Sequence, residues 1–300
     1  MSDTPRKSTF SIVAADLETG EVGCAVQSKY FSVGSVVPWA WAGVGAVATQ
    51  AAGVAVYGRL ALEELQRGAT PEAALETVLA DDPGRETRQL GIVTADGRAA
   101  AFTGKKCMEW AGQRVGPGFA VQGNILAGEA VVDEMAYAYT KTVGTLVERL
   151  VAALEAGQAA GGDRRGQQSA ALVVERAGGR TESREGIDRI CDLRVEDHAQ
   201  PIVELRRLIG IWGDWDAQRR ARVHYERGDA GAAADLLRTA VGEKDAPMLL
   251  YNLACYESLA GRSPDAIVHL RRAVELDGSY RALAADDPDF DPIRSEVSEL

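Results

Sequence analysis

Three hundred residues, 46% of them hydrophobic, suffice for two domains, each with material for a core. A formal net charge of -11, spread along the chain, repels phosphate backbones and excludes nucleic acid as an expected partner. Four dispersed cysteines (Cys24, Cys107, Cys191, Cys255) and three dispersed histidines (His198, His224, His269) offer no metal-ligand spacing. Buried reduced thiols are expected, with neither a metal nor an organic cofactor.

The opening MSDTPRKS is polar and carries no apolar h-region of a signal peptide. Residues 36–55 are apolar, but Gly43, Gly45, Gln50 and Gly53 interrupt them, which reads as buried strand and turn. A soluble cytoplasmic protein without membrane contact is therefore expected.

The first elements are strands over 9–16 and 21–27, joined by Leu17-Glu18-Thr19-Gly20, where Gly20 supplies a positive φ. Residues 44–50 make a third strand. A helix over 57–67 stops at Gly68, and Thr70-Pro71-Glu72 opens a second helix through Ala80. Asp81-Asp82-Pro83-Gly84 breaks it. Residues 89–94 and 98–103 pair across Ala95-Asp96-Gly97. Residues 119–122 read as a short strand, 129–139 and 145–158 as helices, 169–175 and 190–194 as strands, and 201–209 as a closing helix. Hairpin pairs alternating with helix pairs predict a four-layer α/β/β/α sandwich over 9–210.

Beyond Trp212-Gly213-Asp214-Trp215 the chain becomes helical and Ala/Leu-rich. Gly228, Ala233, Leu237 and Ala240 recur 33 residues later as Gly261, Ala266, Leu270 and Ala273. A period near 34 predicts a small all-α module of tetratricopeptide-like repeats over 217–300. Tyr251, Asn252 and Tyr256 are its candidate groove face for a protein partner.

The residues suited to chemistry gather in three places. Thr9 begins the first strand, and Lys29 follows the second. A threonine whose own α-amine serves as base for its hydroxyl is the nucleophile of N-terminal-nucleophile hydrolases. Lys29 assists if buried beside it and is otherwise a solvated lysine; Asp16 either orients that lysine or caps the turn. Asn124, after Gln122-Gly123, is an oxyanion donor or a plain turn residue. Gln50, ending an apolar strand, must find a partner in backbone or substrate. The third place is residues 157–169, with four glycines around Asp163, Arg164, Arg165 and Ser169. It is either a ligand loop in which an arginine grips a carboxylate or an ordinary surface connection.

The stretches TFSIVAAD, VVPWAWAGVGAVATQ, DPGRETRQLGIV, QGNILAG and EAGQAAGGDRRGQQSAAL resemble the bacterial domain-of-unknown-function family 1028 over residues 9 to about 209. The resemblance implies an N-terminal-nucleophile hydrolase fold and an amide-hydrolase-like site. Thr9 would be the nucleophile and Lys29 its electrostatic partner, with Asn124, Asp163, Arg164 and Ser169 lining the site. Because MSDTPRKS precedes Thr9, this route requires cleavage between Ser8 and Thr9. The leading expectation is a hydrolase acting on a non-peptide amide or related C–N bond of a small anionic metabolite. The alternative is a catalytically silent binding or scaffold protein using its helical repeats. A nucleophile at Ser28 or Ser169 ranks last, since neither sits in a Gly-x-Ser-x-Gly elbow. A homodimer is the expected assembly.

Overall fold

Strand β1 (Thr9–Asp16) is a run of apolar and hydroxyl residues that ends where Asp16 turns the chain. The Asp16 Oδ1 accepts from the backbone N–H groups of Glu18 and Thr19, and Gly20, at φ 73°, closes the turn into β2 (Glu21–Ser28). A glycine takes that left-handed conformation without a Cβ clash. The turn thus takes the capping reading of Asp16, whose other partner is Arg149. This computed structural model describes residues 9–178, 187–242 and 244–300.

Eight further strands follow: β3 (Pro38–Trp41), β4 (Gly45–Ala51), β5 (Arg88–Thr94), β6 (Ala99–Thr103), β7 (Gly112–Gly116), β8 (Phe119–Asn124), β9 (Ser169–Arg176) and β10 (Arg189–Val195). They form a six-stranded sheet, β10-β9-β2-β1-β8-β7, and a four-stranded sheet, β3-β4-β5-β6, in which every described pairing is antiparallel. Successive side chains alternate between faces. One face of each sheet therefore meets the other sheet, where Val13, Val22, Cys24, Val26, Ala46, Ala48, Val93, Ala120 and Val173 form a shared core.

The outer faces carry helices. Helices α1 (Val56–Gln66) and α2 (Pro71–Leu79) bury Ala61, Leu62, Leu75 and Leu79 against Val47, Leu90 and Ile92. Thr70 caps α2 by accepting from Ala73 N, with Pro71 at the first turn, as its Thr-Pro-Glu start predicts. Helices α3 (Ala130–Lys141) and α4 (Leu146–Ala159) cover the six-stranded sheet. There Gly157 lies against Phe10 and Met135. The layers run helix pair, six-stranded sheet, four-stranded sheet, helix pair.

The chain divides into two compact units after Ile209. The helix expected over 201–209 instead spans Pro201–Glu226, continuing through Trp212–Trp215. Glycine at 210 and 213 lowers helix propensity by only about 1 kcal/mol each, too little to break an otherwise helical run. In the second unit, helices Ala230–Val241, Pro247–Leu259 and Ser263–Leu276 share a core containing Ala233, Leu237, Leu253, Ala266, Leu270 and Ala273. No described helix is long and apolar enough to cross a membrane.

Candidate functional site

The antiparallel order brings the start of β1 beside the ends of β2 and β8 and the start of β9. Register places Asn124, Thr9, Ser28 and Ser169 in one row across these four strands, on the face turned to the other sheet. All four are at most 1% exposed. Thr9 Oγ1 and Ser28 Oγ lie 3.1 Å apart, and either can donate. The next row holds Gln122 and Ser11. Opposite, on the four-stranded sheet, register aligns Gln50, Gln89 and Thr103.

These rows are joined by hydrogen bonds across the sheet interface. Gln50 Nε2 donates to Gln89 Oε1 (2.8 Å) and Gln122 O (3.2 Å), and lies 3.5 Å from Thr9 O. Ser11 Oγ donates to Gln50 Oε1 at 2.6 Å and accepts from Gln122 Nε2 at 2.6 Å. Gln89 Oε1 also accepts from Asn124 Nδ2 (2.9 Å), while its Nε2 donates to Gly123 O and Thr103 Oγ1. Gly91 makes room, since a Cβ there would sit 2.0 Å from Gln122 Oε1. Buried amides this interlinked fix one another's orientation, which holds Asn124 and Gln50 rigid beside Thr9.

A cavity of about 260 Å³ opens beside Asn124, lined by Ala51, Ala52, Thr87, Lys106, Cys107, Met108 and Ile125. Ala51 (φ 65°) directly follows Gln50, and Ile125 (φ 54°) directly follows Asn124. A β-branched residue in the left-handed region is strained, and such strain concentrates where a fold holds functional groups in place. The Ile125 backbone is pinned on both sides, its N–H donating to Met108 O and its carbonyl accepting from Arg164 N. Burial pushes the Cys107 thiol up to about 11; its Sγ donates to Arg88 O.

The remaining expected residues are structural in their contacts. Asp163, 4% exposed, accepts from Lys29 N (3.0 Å) and Arg165 N (2.8 Å), and its pairing with Arg165 restrains that guanidinium. Ser169 Oγ donates to Tyr30 O and accepts from Val33 N, pinning the segment after Lys29. Lys29 itself is exposed, with Nζ donating to Gln167 O, so the burial beside Thr9 on which its catalytic role depends is absent. The Arg164 side chain is exposed and makes no ion pair among the described residues. In the second unit, Tyr251 and Tyr256 are only 4% and 9% exposed, and Asn252 Nδ2 donates to Gln218 Oε1. Two of the three expected groove residues are thus core.

The family model described as a family of unknown function, DUF1028, matches residues 9–205. The chain belongs to the DUF1028 family. A crystal structure of protein SPO2555 from Silicibacter pomeroyi, assigned to the same family, is similar at a TM-score of 0.63 and 32% identity. The match covers 70% of this chain and 94% of that one. No curated protein matches. In this DUF1028 protein, sequence reasoning reached Thr9, Gln50 and Asn124 but passed over Gln89, Ser11 and Lys106. The available signal was phase: Gln50 and Gln89 alternate in step with Ala48 and Gly91, which places their amides on the inward face.

Proposed function

We propose that this DUF1028 protein is a hydrolase of the N-terminal-nucleophile type, cleaving a non-peptide amide or related C–N bond of a small anionic metabolite. The observation that carries the reading is the cross-strand row Asn124–Thr9–Ser28, with the Thr9 hydroxyl 3.1 Å from Ser28 and a cavity beside Asn124. The helix–sheet–sheet–helix layering agrees with the architecture that the family resemblance implies.

Hydrolysis of the Ser8–Thr9 bond consumes one water and leaves a carboxylate on Ser8 and a free amine on Thr9. That amine takes the hydroxyl proton as Oγ1 attacks the substrate carbonyl. An amide N–H of Asn124 holds the oxyanion. The C–N bond breaks, and the leaving amine departs with the proton. Water then hydrolyses the threonyl ester, releasing the acid and restoring the hydroxyl. Arg164 grips a substrate carboxylate, while Asp163, Arg165 and Ser169 brace the surrounding loops, and Lys29 is left outside the chemistry. The helices after 217 we read as a tetratricopeptide-like module.

Residues 1–8 lie outside the described residues, so the deciding experiment is chemical. N-terminal sequencing and intact mass should find the active chain beginning at Thr9, with small amides turned over. Thr9→Ala should lower that turnover by at least about a thousandfold. Full activity in a chain retaining Ser8, or unchanged turnover in Thr9→Ala, overturns the reading and leaves the scaffold alternative.

A further inference from the structure

The cavity beside Asn124 has an unusual electrostatic make-up for so acidic a chain. Among the described residues, Lys106 is the single charged residue on its lining and no carboxylate lines it; the rest is Ala51, Ala52, Thr87, Cys107, Met108, Asn124 and Ile125. Two charged neighbours of these walls have partners of their own, although the Glu86 carboxylate still helps to raise the Cys107 thiol. Arg88 donates to Ala52 O and is paired with Asp82; Glu86 accepts from Lys105 N. Lys106 makes no ion pair among the described residues, and neither does Arg164. The backbone connects these two cations. Residues 106–108 run along one side of Ile125 through its bond to Met108 O, and Arg164 N bonds Ile125 O from the other.

We propose that this cavity is an anion-selecting substrate pocket in which Lys106, with Arg164 at the far side of Ile125, holds the carboxylate of a small N-acyl amino acid or similar amide. This rests on the hydrolase reading of Thr9 and specifies its substrate class. Three observations favour it. An ammonium with no ion-pair partner among the described residues, on a lining that is otherwise uncharged among them, favours an anion over a neutral isostere, because a charge-assisted hydrogen bond outweighs a neutral one. The volume, about 260 Å³, falls below the roughly 300–1,000 Å³ of pockets that take drug-sized molecules, so the ligand is small. Ala51 and Ile125 are both strained and both line this cavity, as expected where a wall is shaped for a ligand. Lys106 thus acts as a specificity-determining residue that touches the substrate away from the scissile bond.

The test is binding, read by titration calorimetry, with N-acetylglycine and its neutral isostere N-acetylglycinamide as probes. Wild-type protein should bind N-acetylglycine at least about tenfold more tightly than the amide. Lys106→Met should erase the preference and Lys106→Arg should keep it; Lys106 is exposed, so neither change disturbs a core. Equal binding of the two probes, no binding of either, or a preference that survives Lys106→Met overturns the proposal. The same titration with Thr9→Ala separates the two readings. A Lys106-dependent preference without turnover retires the hydrolase and keeps the anion pocket. Turnover of neutral amides without that preference does the reverse.

Discussion

The two ends of β1 are built from different material. At the Asp16 end the left-handed positions are glycines, among them Gly20 (φ 73°) and Gly97 (φ 84°), and the Asp16 carboxylate is consumed capping a turn. At the Thr9 end the same conformation falls on Ala51 and Ile125, and polar side chains with almost no solvent access replace the turn. The first end is what a hairpin needs to close. The second carries strain and buried polarity that closing a hairpin does not require, and both lie at the strand ends that carry the Thr9 row. Location of cost, more than any single residue type, distinguishes the end of the sandwich on which the proposed site stands.

The contrast can be broken most severely at Gln89. Gln89→Leu removes the acceptor shared by Asn124 and Gln50 and leaves Gly123 O without its donor. A loss of about 3 kcal/mol in urea unfolding is expected, since each buried orphan costs on the order of 1–3 kcal/mol. A loss near zero would mean the amide network is dispensable.

A smaller effect is expected in acid. The Arg88 guanidinium beside Asp82 holds its carboxyl down at about 2, against an ordinary 3.8, and Arg88 in turn supports Ala52 O at the cavity wall. The folded carboxyl ionises more readily than the unfolded one. Its contribution is therefore complete above about 4 and is lost as pH falls towards 2. Asp82→Asn should flatten the stability profile in that window, by on the order of 1 kcal/mol, as unfolding midpoints at successive pH values would reveal. An unchanged slope would remove Asp82 from the account.

The finest comparison exchanges the two kinds of left-handed residue. At Gly20 an added Cβ meets nothing within 4 Å, so Gly20→Ala isolates the backbone cost, about 1 kcal/mol destabilising. Ala51→Gly should be neutral to stabilising, within about 1 kcal/mol, because it relieves strain at the other end. Calorimetric melting of both variants checks the signs; a destabilisation by Ala51→Gly matching that of Gly20→Ala would erase the distinction.

Most interior strands of the first unit were legible because alternating apolar residues bounded by Gly and Asp turns leave few options. The two strands that escaped, β3 and β7, are both sheet edges. Pro38-Trp39-Ala40-Trp41 begins with a residue that cannot donate to a ladder, and Gly112–Gly116 is bracketed by glycines that read as turns. Edge strands pair on one side only, so less of their sequence is constrained. At the site, Thr9 and Asn124 were legible from their positions at strand ends. Gln89 was not, because its function depends on bonds to residues 34 and 35 positions away on another sheet. Lys106 was hidden for a different reason: an exposed lysine in a loop looks like any other until the walls around it are known.

The eight-for-eight pairing of β1 with β2, from Asp16↔Glu21 to Thr9↔Ser28, also acts as a ruler. Thr9 faces the inter-sheet space because it stands an odd number of positions from Asp16. Inserting or deleting one residue between them would roll the hydroxyl over to the side where Phe10 meets the helices. The loop beyond Asp16 does not enter this count, whereas the number of residues within the strand decides which face of the sheet carries the Thr9 hydroxyl.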